Sequence, residues 1–127
     1  MKTLLNKSVL IIDDNPGMLR ALEKVLGHAG LKVTRATWVN GEVQELKDRK
    51  HFDLVITDLR MPEVSGLTIL QGMQVSHPGV PVIIITAYGS PDKTPAWWKK
   101  HGAAAYLEKP INEAHLLSAL ERVFDAR

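Results

Sequence analysis

The feature that most constrains this chain is an alternation, repeated five times: an apolar run, then a segment of helical periodicity. Ser8-Val-Leu-Ile-Ile-Asp13 is a continuous apolar run ending in acid, as a strand buried on both faces reads. Asn15-Pro16 then supplies a helix N-cap and a proline at the first helical position. Leu19, Leu22, Leu26 and Ala29 follow at helical spacing, and Gly30 stops the helix. Residues 31–36 read as a second strand. Val39, Val43 and Leu46 predict a helix over about 39–49. A third strand over 52–57 ends at Asp58. After a loop marked by Met61-Pro62 and Ser65-Gly66, Leu67, Leu70 and Met73 continue as a helix. Residues 80–86 are the clearest strand. A loop and helix lie between Tyr88 and His101, Gly102 ends them, and 104–107 form a fifth strand. Asn112 caps a last helix with Leu116, Leu117, Leu120, Val123 and Phe124 inward.

Strands alternating with helices predict an α/β fold: a doubly wound, five-stranded parallel sheet with five helices. Its crossovers should be right-handed. Such sheets bind ligands at the carboxyl ends of their strands, so the residues after each apolar run are the candidates. A length of 127 residues fits one domain, 1–127. With no Cys there is no disulfide framework, thiolate zinc site, iron–sulfur cluster or cysteine nucleophile. The five His form no H-x-x-x-H pair and read as surface or helix residues. No apolar run approaches the ~20 residues of a membrane helix. The N-terminus lacks the apolar stretch of a signal peptide, so a cytoplasmic protein without membrane contact is expected. The 16 bases and 14 acids are mixed along the chain, which argues against direct nucleic-acid binding despite a net charge of +2.

The strand ends carry Asp13-Asp14, Asp58, Thr86-Ala87 and Lys109-Pro110. Singly each is ordinary: turn-forming acids, a β-branched strand residue, a surface lysine. Jointly they bring carboxylates, a hydroxyl and an ammonium to one pole of one sheet. If the first and third strands are neighbours, about 4.8 Å apart, Asp13, Asp14 and Asp58 crowd together. Such carboxylates raise one another's pKa, a conflict that a hard divalent cation removes. Oxygen-only ligands with room for water suit Mg²⁺. Thr86 and Lys109 opposite that site would receive an anion such as a phosphoryl group, with Asp58 as carboxylate nucleophile.

At Val-Leu-Ile-Ile-Asp13-Asp14-Asn15, Val-Ile-Thr-Asp58-Leu-Arg60-Met61-Pro62, Ile-Ile-Ile-Thr86-Ala87-Tyr88 and Ala105-Tyr106-Leu-Glu-Lys109-Pro110, the sequence resembles the response-regulator receiver domain of bacterial two-component systems. The resemblance covers about 8–124. It implies a flavodoxin-like fold with strand order 2-1-3-4-5. It implies that Asp58 is the phosphoacceptor, Asp14 a direct Mg²⁺ ligand and Asp13 one acting mainly through water. The Arg60 backbone carbonyl should complete the metal ligands. Thr86 and the Ala87 backbone N–H should bond phosphoryl oxygens, and Lys109 should pair with the phosphoryl group. The Lys109-Pro110 peptide is expected to be cis. Thr86 and Tyr106 match the family's switch pair. The phosphoryl donor would be a partner histidine kinase or phosphotransfer protein in a phosphorelay. The resemblance implies a signalling switch that catalyses only its own aspartyl phosphorylation and dephosphorylation.

Departures from the family pattern are informative. Ser65 stands where an acid is usual before Gly66. Ser90-Pro91 and Thr94-Pro95 both read as a cap followed by proline, and a helix begun at Pro91 would hold Pro95 inside it. A late start at Pro95, a short helix to His101 and a long loop over 87–93 are therefore expected. On that helix Trp97 and Trp98 point about 100° apart, so both cannot face the core. One should lie at the surface beside Tyr106. Either one Trp is core and the other half-covered, or Trp97, Trp98 and Tyr106 form a partner face. In the family, the surface of the fourth helix, fifth strand and fifth helix serves homodimers or output domains.

Three other readings compete. A Mg²⁺-dependent phosphatase with an aspartyl intermediate commonly needs an acid two residues after the nucleophile, where Arg60 stands. A purely structural domain does not account for Asp13, Asp14, Asp58, Thr86 and Lys109 together. A flavin site needs a Gly/Ser/Thr cradle after the first strand, where the chain is acidic. The chain stops after its fifth helix, so it is expected to be a stand-alone receiver or a piece of a longer regulator. Asn112-Glu-Ala-His-Leu-Leu-Ser-Ala-Leu resembles receivers attached to ATPase-type transcription activators.

Arg60 and Tyr88, each two residues past a site residue, should shield an acyl phosphate on Asp58 from water. Tyr88→Ala is then expected to speed phosphate loss several-fold, read as release of inorganic phosphate; an unchanged rate would sink the shielding idea.

Overall fold

A computed structural model describes residues 3–40, 42–48, 50–59, 61, 65–87 and 94–126. The elements run β1 (Ser8–Ile12), α1 (Pro16–His28), β2 (Lys32–Arg35), β3 (Trp38–Val39), β4 (Glu42–Val43), α2 (Gln44–Lys47), β5 (Leu54–Asp58), α3 (Gly66–Ser76), β6 (Val82–Thr86), α4 (Pro95–Lys100), β7 (Ala105–Glu108) and α5 (Glu113–Asp125). Five strands form one parallel sheet in the order β2-β1-β5-β6-β7. Counted within that sheet alone, this is the expected order 2-1-3-4-5.

The apolar runs are strands because both their faces are covered. Val9 and Ile11 belong to one buried cluster, with Leu22 and Leu26 of α1 and Leu116, Leu120 and Val123 of α5. Leu10 and Ile12 belong to the other, with Ile69, Leu70 and Met73 of α3 and Trp98 of α4. Every residue of β5 and β6 is buried. An unbroken apolar run is what such a strand requires.

Four helices begin by one device: a small polar side chain accepts an N–H that has no partner within the first turn. Asn15 accepts from Met18 N–H at 3.0 Å and Thr94 from Trp97 N–H at 3.1 Å. Ser65 accepts from Thr68 N–H at 3.2 Å and Asn112 from His115 N–H at 3.0 Å. Helix α4 starts at Pro95, as the competing Ser90-Pro91 and Thr94-Pro95 signals predict. Gly30 and Gly102, which stop the helices before them, have φ of 93° and 108°, a region that favours glycine. The Lys109-Pro110 peptide is cis. Among the described residues no helix is long and apolar enough to cross a membrane.

The second helix departs from expectation. Only Gln44–Lys47 is helical, and the residues before it pair as a hairpin, Trp38 with Val43 and Val39 with Glu42. The reason is local. Asn40-Gly41 between two β-favouring segments is a strong two-residue hairpin signal, and Asn40 has φ 53°. Val39, Val43 and Leu46 fit a helical period by coincidence. The buried Glu45 carboxylate fastens the hairpin, accepting Thr37 N–H at 2.8 Å.

A second carboxylate joins β1 to the entry of β5. Ser8 N–H donates to Asp53 Oδ2 at 2.8 Å, and Asp53 N–H donates to the Ser8 carbonyl at 2.8 Å. Burial opposes the Asp53 charge, but the bonds from Ser8 and His51 outweigh it and hold the carboxyl below its ordinary 3.8. A depressed carboxyl stabilises the fold fully above its unfolded value and loses that contribution as pH falls through the folded one. Asp53→Ala should therefore cost about 1–2 kcal/mol at pH 7, with the gap to wild type closing in acid below the ordinary value. Urea unfolding at the two pH values checks this.

Candidate functional site

All five parallel strands end at one pole, and the polar groups that follow them converge there. One carboxylate oxygen each from Asp13, Asp14 and Asp58 lie within 4.8 Å of one another. Asp13 and Asp58 are buried, at 7% and 8% exposure, whereas Asp14 is exposed. Lys109 Nζ lies 3.2 Å from Asp13 Oδ2 and 3.2 Å from Asp58 Oδ2, bridging the first and third sheet strands. The Thr86 side chain, 1% exposed, ends the strand beside β5, and Ala87 is exposed just beyond.

Backbone bonds beyond the strand ends hold these groups in place. Lys109 N–H donates to the Thr86 carbonyl at 2.7 Å, and Leu59 N–H to the Ile85 carbonyl at 3.0 Å. Asn15 N–H donates to Asp13 Oδ1 at 2.9 Å, leaving Oδ2 for Lys109. Gly66 presses against the end of β5, where an added Cβ would sit 2.8 Å from the Asp58 carbonyl oxygen and 2.9 Å from Leu59 Cα. Only glycine permits that approach, and its N–H donates to the Leu59 carbonyl at 2.7 Å. The sequence reading missed this role of Gly66 and that of the Asn15 N–H; the Ser-Gly pair at a helix start was the available signal.

The Lys109 ammonium sits between the two buried carboxylates of Asp13 and Asp58. Burial raises the Asp13 carboxyl above its ordinary value, and the neighbouring Asp58 adds to this; the Asn15 N–H and Lys109 only partly compensate. Burial works against the Lys109 ammonium, yet Asp13 and Asp58 together hold its pKa above the ordinary value. A cluster of three hard carboxylate oxygens fits a divalent cation of the Mg²⁺ or Ca²⁺ kind.

Arg60, assigned a backbone metal contact, and Tyr88, assigned a shielding role, lie outside the described residues, as do Pro62, Ser90 and Pro91. Tyr106 is half-buried in β7. The tryptophan expectation needs correction. The ring beside Tyr106 is Trp98, at 6.5 Å between centroids and 21° between planes, but it is buried, at 3% exposure. Trp98 therefore does not belong to a partner face. It fills the space between α4 and the sheet, and Trp97 packs only partly buried against the same cluster. The half-exposed ring is Trp97, stacked on His101 at 3.9 Å and 22°.

The family described as response regulator receiver domain matches residues 9–121. The response regulator protein PilR of Pseudomonas aeruginosa is 43% identical over 110 residues, covering 87% of this chain and 24% of PilR. The DNA-binding transcriptional regulator NtrC of Escherichia coli is 36% identical over 115 residues, covering 90% of this chain and 24% of NtrC. The chain thus spans about a quarter of the length of these curated relatives. The crystal structure of a response regulator receiver domain protein from Clostridium thermocellum superposes with a TM-score of 0.81 at 29% identity, covering 94% of this chain and 95% of that one.

Because the Asp13 carboxyl is raised in the folded state, its contribution favours folding at low pH and is lost as pH rises through the folded value. Asp13→Asn, which keeps an oxygen for Asn15 N–H, should raise stability at pH 7 by about 1 kcal/mol in chelator. Millimolar Mg²⁺ should raise the melting temperature of wild type and leave the variant nearly unmoved. Calorimetric melts of the two proteins with and without metal check both.

Proposed function

The chain belongs to the response regulator receiver domain family, and on that premise we propose that Asp58 takes a phosphoryl group from a histidine kinase or phosphotransfer protein in a step that needs Mg²⁺. The observation that carries this reading is the Asp58 carboxylate, held beside Asp13, Asp14 and the Lys109 ammonium at one sheet pole. In the step, an Asp58 carboxylate oxygen bonds to phosphorus as the P–N bond of a phosphohistidine breaks, and the departing imidazole takes up a proton. The product is an acyl phosphate, which water hydrolyses to free carboxylate and inorganic phosphate.

Each residue has work in that step. The oxygens of Asp13, Asp14 and Asp58 would hold the metal, with the Arg60 carbonyl as the further ligand. A divalent cation held there would supply positive charge against the phosphoryl oxygens. Lys109, already 3.2 Å from Asp58 Oδ2, places positive charge beside the reacting oxygen. The Thr86 hydroxyl and the Ala87 N–H donate to phosphoryl oxygens. Tyr106 responds to Thr86, and the surface around α4, β7 and α5 passes the change to an output domain, a partner or a second copy. The family is one of signalling switches, so turnover of another molecule is not part of this proposal.

Acetyl phosphate with Mg²⁺, followed by intact mass, is the direct test. One phosphoryl adduct is expected on wild type, none on Asp58→Asn and none in chelator. An unmodified wild type, or an adduct on Asp58→Asn at another residue alone, would overturn the proposal.

A further inference from the structure

We propose that a cleft at the pole opposite the acidic site binds a small amphipathic anion, a molecule with an apolar aromatic or alkyl body and one acidic group. The proposal does not depend on the chemistry of Asp58.

The cleft holds about 500 Å³ at the amino ends of β6 and β7, against the last turns of α3, α4 and α5. That is a common size for a small-molecule site. Small residues leave the space: Gly79, Gly102, Ala104, Ala105 and Ala119 stand in its walls. A Cβ added at Gly79 would meet nothing within 4 Å, so the wall is open there. The floor is apolar, built from the buried Leu70, Met73, Val82 and Val123.

The rim carries the charge. Lys99 of α4 and Arg122 of α5 line the cleft, and among the described residues no Asp or Glu does. Both cations are exposed, and neither is in an ion pair among the described residues. Arg122 spends one N–H on Ser118 Oγ at 2.9 Å. The other polar side chains there are engaged, the His77 ring with Ser76 Oγ at 2.7 Å and the Gln74 amide with the His101 carbonyl at 2.8 Å. Helix-end carbonyls do not need the two cations as caps. Gly102 N–H donates to the Lys99 carbonyl at 3.1 Å, Ala103 N–H to Trp98 at 3.0 Å and Ala126 N–H to Arg122 at 3.1 Å.

Unpaired cations at the edge of an apolar floor select a ligand that offers both features. A wholly polar anion gains nothing from the floor, and a neutral hydrocarbon gains nothing from the rim. The carboxyl ends of α3, α4 and α5 also carry partial negative charge toward this pole. An acidic group is therefore held there by Lys99 and Arg122, and removing them is the decisive change.

Anilinonaphthalene sulfonate, an aromatic body with one sulfonate, is the test ligand, and phenylnaphthylamine is the same body without the charge. Calorimetry and fluorescence titration should give one sulfonate site with a dissociation constant of roughly tens of micromolar. The neutral amine should bind about fivefold more weakly or worse. Lys99→Gln with Arg122→Gln should weaken the sulfonate about five- to tenfold and leave the amine unmoved. Lys100→Gln removes the same charge from the same helix outside the cleft and should change neither. A double variant that binds the sulfonate as wild type does overturns the proposal. So does an equal loss in Lys100→Gln, which shows attraction to net charge alone, or a set of several equivalent sites. A second measurement leaves every residue in place. Methyl NMR signals of Met73, Val82 and Val123 should shift as the sulfonate is added, while those of Leu22 and Leu26 of α1 stay. Cleft methyls that do not move also overturn the proposal.

Discussion

The structure depends on the parallel run of its central strands. A parallel pair cannot be closed by a tight turn, so each strand must be followed by a crossover that returns the chain to the same starting edge. Helices α1, α2, α3 and α4 are parts of those returns, and with α5 the helices cover both faces of the sheet. The carboxyl ends of all five strands therefore meet at one pole. Asp13, Asp58, Thr86 and Lys109, spread from the beginning of the chain to near its end, become neighbours for this reason alone. No local motif could assemble them.

That assembly works against stability, and the rest of the fold carries it. Asp13, Asp14 and Asp58 crowd together, with the Lys109 ammonium beside the two buried ones, although the protein as a whole carries a net +2. Elsewhere in the molecule buried or half-buried acids have a clear structural use. Glu45 secures the hairpin and Asp53 the base of β1, and both carboxyls lie below their ordinary values. Asp13 is shifted the other way. The contrast in sign separates acids that serve folding from one whose charge folding must tolerate.

Much of this could be read in the sequence, because several signals agreed at each point. Asn15-Pro16 and Thr94-Pro95 are caps and first-turn prolines, and both mark helix starts. The strand ends were visible because an apolar run stops at a charged or hydroxyl residue. What failed had competing signals of similar strength. Val39, Val43 and Leu46 suit a helix, while Asn40-Gly41 demands a turn, and the turn prevails since a short helix gains little from three apolar side chains. The tryptophans were legible in part, as one core ring and one half-covered ring. Helical geometry requires that one ring turn away from the core, but only tertiary packing decides that it is Trp97 and that Tyr106 lies beside the buried partner.

The two helices beside β7 differ in how they are held, and this bears on where a change at the site can travel. Helix α5 spans thirteen residues and buries Leu116, Ala119, Leu120 and Val123 along one stripe. Displacing it would expose all four side chains at once. Helix α4 spans six and buries Trp98 alone, helped by the Thr94 cap and by a bond at its far end, where Gln74 Nε2 donates to the His101 carbonyl at 2.8 Å. A segment with few buried side chains has a low cost of local displacement. Of the two helices beside the edge strand, α4 is therefore the one with the lower cost of displacement, and α5 the more firmly held.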